Sequence, residues 1–183
     1  MIVIMAGLPA SGKSTLCRKL AAKLNGIVLD EDKIRSALFS QADIEYSTTQ
    51  DDFCMKVALE AAGYILRKNP GRFVSVDGRP FSRTYQLEQV LQAARDFNQE
   101  WRILECVCSE ETARKRLAEQ AAAGEHLAIN RDYALYRRMR DQFEEIILPK
   151  TVIDTDEPLD ACIVHSLAAI SVPSTDSILP RIS

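Results

Sequence analysis

Runs of three to seven mainly apolar residues recur along the chain, with helical periodicity between them. Ile2-Val3-Ile4-Met5-Ala6 has no polar position and reads as a strand buried on both faces. Ile27-Val28-Leu29, Phe73-Val74-Ser75-Val76, residues 102–108 and Thr151-Val152-Ile153-Asp154 repeat the signal. Leu16, Cys17, Leu20, Ala21 and Leu24 predict a helix over about 13–24, stopped by Asn25-Gly26. Ile34, Arg35, Leu38 and Phe39 predict a second, with Asp30 as its cap. Residues 40–51 are polar and aperiodic and read as a surface loop. Phe53, Val57, Ala61, Tyr64 and Ile65 mark a long amphipathic helix closed by Asn69-Pro70-Gly71. Leu87, Val90, Leu91, Ala94 and Phe97 mark another. Ser109 with Glu110 and Glu111 opens a helix that runs through Leu117 and stops at Gly124. After a loop at 124–130, Asn130 is the expected cap of a helix carrying Tyr133, Tyr136, Phe143 and Ile147, ended by Pro149. Pro158 sits early in a last helix bearing Leu159, Ile163, Leu167 and Ile170.

Strands that alternate with helices predict an α/β fold, a parallel sheet with helices on both faces. We expect one domain over 1–170. The tail at 171–183, with Pro173 and Pro180 among Ser and Thr, is expected to be loose or partner-dependent.

Composition changes this picture little. The 183-residue chain carries a net charge of −3, so its overall field does not favour non-specific nucleic-acid binding. Its five cysteines are odd in number and lie among apolar residues, as expected of reduced thiols in a cytoplasmic protein. Cys106 and Cys108 share one strand face without a His or Cys pair at metal spacing, so they read as packing residues. The chain opens directly into its first strand, with no basic leader, and no apolar run reaches membrane-spanning length.

The candidate chemistry begins at Gly7-Leu8-Pro9-Ala10-Ser11-Gly12-Lys13-Ser14-Thr15, which lies between the first strand and the first helix. Gly7 and Gly12 allow a sharp turn whose N–H groups point at an anion, and the helix dipole adds to the same attraction. In this phosphate-binding loop Lys13 is the candidate for the β- and γ-phosphates and Ser14 for Mg²⁺. Pro9, Ala10, Ser11 and Thr15 complete the expected nucleotide contacts.

Ligands of such sheets gather at the carboxyl ends of the strands. The second strand delivers Asp30, Glu31 and Asp32 there, and the third delivers Asp77 and Arg79. The fourth leads into a helix bearing Arg114, Lys115 and Arg116. Phosphoryl transfer needs a carboxylate for the acceptor proton, a cation for the moving charge and a second carboxylate in the metal shell. Asp32 is the candidate base and Asp77 the candidate metal-shell residue. The plainer readings are a helix-capping carboxylate for Asp32, a role Asp30 can fill instead, and a turn-forming Asp-Gly for Asp77. Residues 36–56 and Arg79-Pro80-Phe81 are expected to shape the acceptor pocket, with Tyr46, Phe53 and Phe81 as candidate ring contacts or core residues. His126 and His165 have no partner spacing and read as incidental.

Taken together, Gly7–Thr15, then Asp30-x-Asp32-x-x-Arg35, then a strand ending in Asp77 resemble the small P-loop kinases, an AAA-type ATP-binding group. The nearest branch is that of polynucleotide kinases, zeta toxins and chloramphenicol phosphotransferases. The resemblance spans about residues 1–170. It implies a three-layer P-loop NTPase fold with a five-stranded parallel sheet, helices on both faces and a helical lid at about 110–140. It implies ATP and Mg²⁺ as cofactors, Asp32 as the base, and Arg35 in contact with acceptor or phosphate. Arg116 takes the first lid-arginine position and Arg114 lies beside the nucleotide. The second lid position holds Gln120, for which Arg131, Arg137 or Arg138 are candidate substitutes. The implied activity is transfer of the γ-phosphate to a hydroxyl of a small molecule. Polynucleotide 5′-hydroxyl kinase, nucleotide-sugar kinase of zeta-toxin type and a non-catalytic nucleotide switch are the alternatives.

Overall fold

The computed structural model describes residues 1–45, 47–123 and 132–172. The strands are β1 Ile2–Ala6, β2 Ile27–Asp30, β3 Val74–Asp77, β4 Trp101–Val107 and β5 Thr151–Asp154. They form one parallel sheet in the order β2-β3-β1-β4-β5. The helices are α1 Lys13–Lys23, α2 Glu31–Leu38, α3 Thr48–Lys68, α4 Thr84–Asp96, α5 Glu110–Ala123, α6 Tyr133–Asp141 and α7 Leu159–Ser171. A short 3-10 turn covers Gln41–Asp43.

The alternation of β1 decides the layers. Ile2, Ile4 and Ala6 pack under α3 and α4 with Met55, Ala58, Leu87 and Val90. Val3 and Met5 point the other way, onto Leu16, Cys17 and Leu20 of α1 and Ile163 of α7. The result is a three-layer α/β sandwich, with the central strand buried on both faces. Among the described residues no helix is long and apolar enough to cross a membrane.

Two boundaries differ from those predicted. The long helix starts at Thr48, inside the stretch read as loop. Ser47 Oγ accepts from Gln50 N at 3.2 Å, so a polar first turn is capped and helical without any apolar period. The helix predicted to reach Ile147 ends at Asp141. Glu144 is drawn away to the start of α4, where it accepts from Thr84 N at 2.7 Å and pairs with Arg83 at 3.2 Å. Ile146 rather than Ile147 then enters the core. Asp132, not Asn130, caps α6 by accepting from Leu135 N; Asn130 lies outside the described residues.

Candidate active site

The phosphate loop is bent by three residues with positive φ: Gly7 at 136°, Ala10 at 62° and Gly12 at 81°. A methyl group on Gly7 would lie 2.3 Å from the Cys106 carbonyl oxygen, so a side chain there meets backbone. Gly7 N donates to Pro80 O at 3.0 Å, which joins the loop to the segment leaving β3. Lys13 is buried at the first position of α1, and its ammonium donates to Leu8 O at 3.3 Å. Pro9 and Ser11 are buried in the loop, while Ser14 and Thr15 open α1.

Asp77 ends β3 on the α1 face of the sheet. Ser75, two residues earlier on that face, touches Cys17 of α1 at 2.6 Å. Asp77 therefore emerges over the first turn of α1, where Lys13 and Ser14 begin. It is 1% exposed, and its Oδ1 has no hydrogen-bond partner among the described residues. Burial and the Asp77 charge push the Cys17 thiol up to about 12, and burial holds Cys106 equally high, so both are inert packing groups.

Asp30 and Asp77 are register partners in β2 and β3. Asp30 Oδ1 accepts from the N–H groups of Asp32 and Lys33 and so caps α2. Asp32 is left free of capping, with 38% of its side chain exposed and one oxygen 2.6 Å from Arg35 Nη1. β2 stands two strand spacings from β1, which sets the head of α2 about 10 Å across the sheet edge from the phosphate loop.

Arg35 is 3% exposed and gathers three carboxylates: Glu31 at 2.7 Å, Asp32, and Asp51 of α3. Burial opposes its charge, but Asp51, Glu31 and Asp32 outweigh it and raise its pKa. Glu31 is buried and pushed up to about 8, by burial first and then by Asp51, against the pull of Arg79 and Arg35. Its Oε1 accepts from Arg35 while Oε2 has no partner among the described residues. Arg79, also buried, donates to Asp52 at 2.6 Å and lies 5.9 Å above the Tyr85 ring. Glu31 was placed at the strand ends by the sequence, and Asp51 and Asp52 within the stretch expected to shape the acceptor pocket, but none of the three was given a role of its own. The last two lay at or beyond the end of the apparent loop.

The cations of α5 and α6 are held in place. Arg116 Nη1 donates to Ala10 O at 3.2 Å and to Thr155 Oγ1 at 2.9 Å, and Nη2 donates to Thr155 O at 2.7 Å. Arg114 stacks 4.3 Å above the Tyr133 ring, and Arg140 pairs with Glu110 at 2.6 Å. Arg137 and Arg138 are exposed. Phe81 is fully buried core, whereas Phe53 is exposed and meets Phe39 edge to face at 5.9 Å. Tyr46, His126 and Arg131 lie outside the described residues.

A family model described as an AAA domain matches residues 2–146. The chain belongs to the AAA domain family. Solved structures show the same fold. A kinase candidate from Chloroflexus aurantiacus is 19% identical, with a TM-score of 0.73 over 92% of this chain and 97% of that one. An APS kinase from Mycobacterium tuberculosis, in complex with AMPPNP and APS, is 19% identical with a TM-score of 0.69 over 93% and 97%. A gluconokinase from Sinorhizobium meliloti is 16% identical with a TM-score of 0.62 over 92% and 90%. No curated protein matches.

In this AAA domain no three His, Cys, Asp or Glu gather as a metal cage among the described residues. A Mg²⁺ ion that travels with phosphates needs no such cage, since it keeps several waters and takes few protein ligands. The donors present fit that pattern: the Ser14 hydroxyl in the first turn of α1 and the unpartnered Asp77 Oδ1 at the end of β3.

Proposed function

We propose that this chain is an ATP-dependent kinase that transfers the γ-phosphate to a hydroxyl of a small molecule. The observation that carries the reading is Asp32. It is an uncapped, accessible carboxylate fixed by a buried arginine at the edge of the sheet that bears the phosphate loop. Lys13 and the loop N–H groups hold the β- and γ-phosphates. The acceptor hydroxyl gives its proton to Asp32 as its oxygen bonds to the γ-phosphorus. The bond from that phosphorus to the bridging oxygen breaks, and ADP leaves. Arg35 keeps the Asp32 carboxylate oriented and, with Arg79, faces the acceptor side. Ser14 and Asp77 would hold Mg²⁺, directly or through water, which supplies charge neutralisation at the phosphates. Arg116 braces the loop at Ala10, and Arg114 stands beside it at the lid base.

A nucleic-acid acceptor is less well supported. Asp32, Asp51 and Asp52 are the solvent-facing partners of Arg35 and Arg79, and such a surface does not attract a phosphate backbone. The neighbouring APS kinase, gluconokinase and sugar kinase structures support a small acceptor by analogy of fold. The five free thiols support a cytoplasmic setting.

The test is Asp32→Asn. Loss of the base should lower phosphate transfer by roughly a hundredfold or more while ATP affinity persists. Normal turnover by Asp32→Asn would remove the base assignment.

A further inference from the structure

The cluster around Arg35 and Arg79 leaves hydrogen-bonding capacity unused on both sides. Asp32, Asp51 and Asp52 each give one oxygen to a guanidinium, and their side chains remain 38%, 31% and 33% exposed. Each keeps a second oxygen, and an ionised carboxylate only accepts. Arg79 is 2% exposed, and its Nε and Nη1 have no hydrogen-bond partner among the described residues. A guanidinium only donates. Asp52, which takes Arg79 Nη2 at 2.6 Å, and Tyr85, whose ring centre is 5.9 Å from the guanidinium, are both partly exposed. The buried guanidinium therefore lies directly under surface side chains.

The same cluster is joined to the phosphate loop. Arg79 is one residue before Pro80, whose carbonyl takes the Gly7 N–H at 3.0 Å. Gly78, one residue earlier, runs so close to the head of α2 that a methyl on it would lie 2.9 Å from Glu31 N. The turn after β3 thus ties the phosphate loop to the helix that carries Asp32.

We propose that this cluster takes an uncharged polyol, a sugar or sugar alcohol, as the phosphate acceptor, through hydroxyls that donate to the aspartates and accept from Arg79. The inference rests on the kinase reading above and names its substrate class. An ammonium group would satisfy the carboxylates but offers Arg79 nothing to donate to. A carboxylate or phosphate would satisfy Arg79, but it meets three partly exposed carboxylates set against two guanidinium groups, with the buried Glu31 as a fourth. A hydroxyl both donates and accepts, and so serves both sets, with the strength of bonds to charged partners. A monohydric alcohol would place its hydroxyl at Asp32 and leave the Arg79 N–H groups unanswered. Neighbouring hydroxyls reach both.

The experiment measures phosphate transfer from labelled ATP, by the full chain with Mg²⁺, to glycerol, ribose, glucose and myo-inositol, and to 1-propanol, gluconate and glucosamine. At least one of the four neutral polyols should exceed 1-propanol in kcat/KM by about a hundredfold or more. Glucose should exceed gluconate and glucosamine by about tenfold. Asp52→Asn keeps an oxygen for Arg79 and turns the second oxygen into an N–H donor. It should raise KM for the preferred polyol about tenfold and leave KM for ATP unchanged. A preference for 1-propanol, gluconate or glucosamine, or a folded Asp52→Asn with unchanged polyol KM, overturns this proposal and leaves the kinase reading intact. The acceptor series on the parent chain decides alone if Asp52→Asn does not fold. Transfer to none of the seven removes both.

Discussion

The Thr155 hydroxyl donates to the Ser11 carbonyl at 2.9 Å, and so ties the end of β5 to the phosphate loop. The same oxygen accepts from Arg116 Nη1, which also reaches Ala10 O. One threonine therefore links β5, the loop and α5. Thr155→Val keeps the shape of the side chain and removes both bonds. It should cost about 1–3 kcal/mol in stability and raise the KM for ATP several-fold, while Thr155→Ser stays near the parent. Thermal melts and ATP titrations check this; a valine variant equal to the parent in both would show that the link does not position the loop.

Gly7→Ala should abolish nucleotide binding. The added methyl meets the Cys106 carbonyl at 2.3 Å, and the obstacle is backbone of the neighbouring strand, which has no rotamer to give way. The φ of 136° adds strain for any residue with a Cβ. Together these should cost about 2–3 kcal/mol or more. Denaturant unfolding reads the stability and calorimetric titration with ATP reads the binding. By contrast, Gly71→Ala, where nothing lies within 4 Å, should be close to neutral.

The sheet and the phosphate loop were legible in the sequence because both rest on local patterns. β1 is an unbroken apolar run, and the loop is a fixed spacing between that run and a helical period. The ionic cluster around Arg35 was not legible. Asp51 reaches it from α3, sixteen residues along the chain, through a capped helical turn with no apolar face. Glu31 is one residue from the candidate base, yet its burial depends on the close approach of the turn after β3 to the head of α2. A methyl on Gly78 would come within 2.9 Å of the Glu31 N–H. Phe143 and Ile147 misled because their spacing continues the period of α6, while Glu144 answers a cap sixty residues away in α4. The sequence set Arg116 on the helix after β4, but its hold on Ala10 and Thr155 depends on tertiary contacts that its helix alone does not announce.

The buried Glu31 gives a pH dependence of definite sign. Its ordinary pKa is 4.5, and in the folded chain it is pushed up to about 8 by burial and by Asp51. Below about pH 4.5 it is protonated whether folded or unfolded, and it leaves stability unchanged with pH. Between 4.5 and 8 the unfolded chain has lost a proton that the folded chain keeps, so this group makes stability fall as pH rises. Above about 8 both states are ionised and the slope ends. Glu31→Gln retains an oxygen for Arg35 and has no proton to lose, so its unfolding free energy should lack that slope. The variant should match the parent near pH 5 and exceed it by about 2–4 kcal/mol near pH 8. Urea unfolding of both proteins at pH 5, 6, 7 and 8 measures the difference. A glutamine variant less stable than the parent at every pH would mean that Glu31 is ionised in the folded chain and that its pairing with Arg35 outweighs its burial.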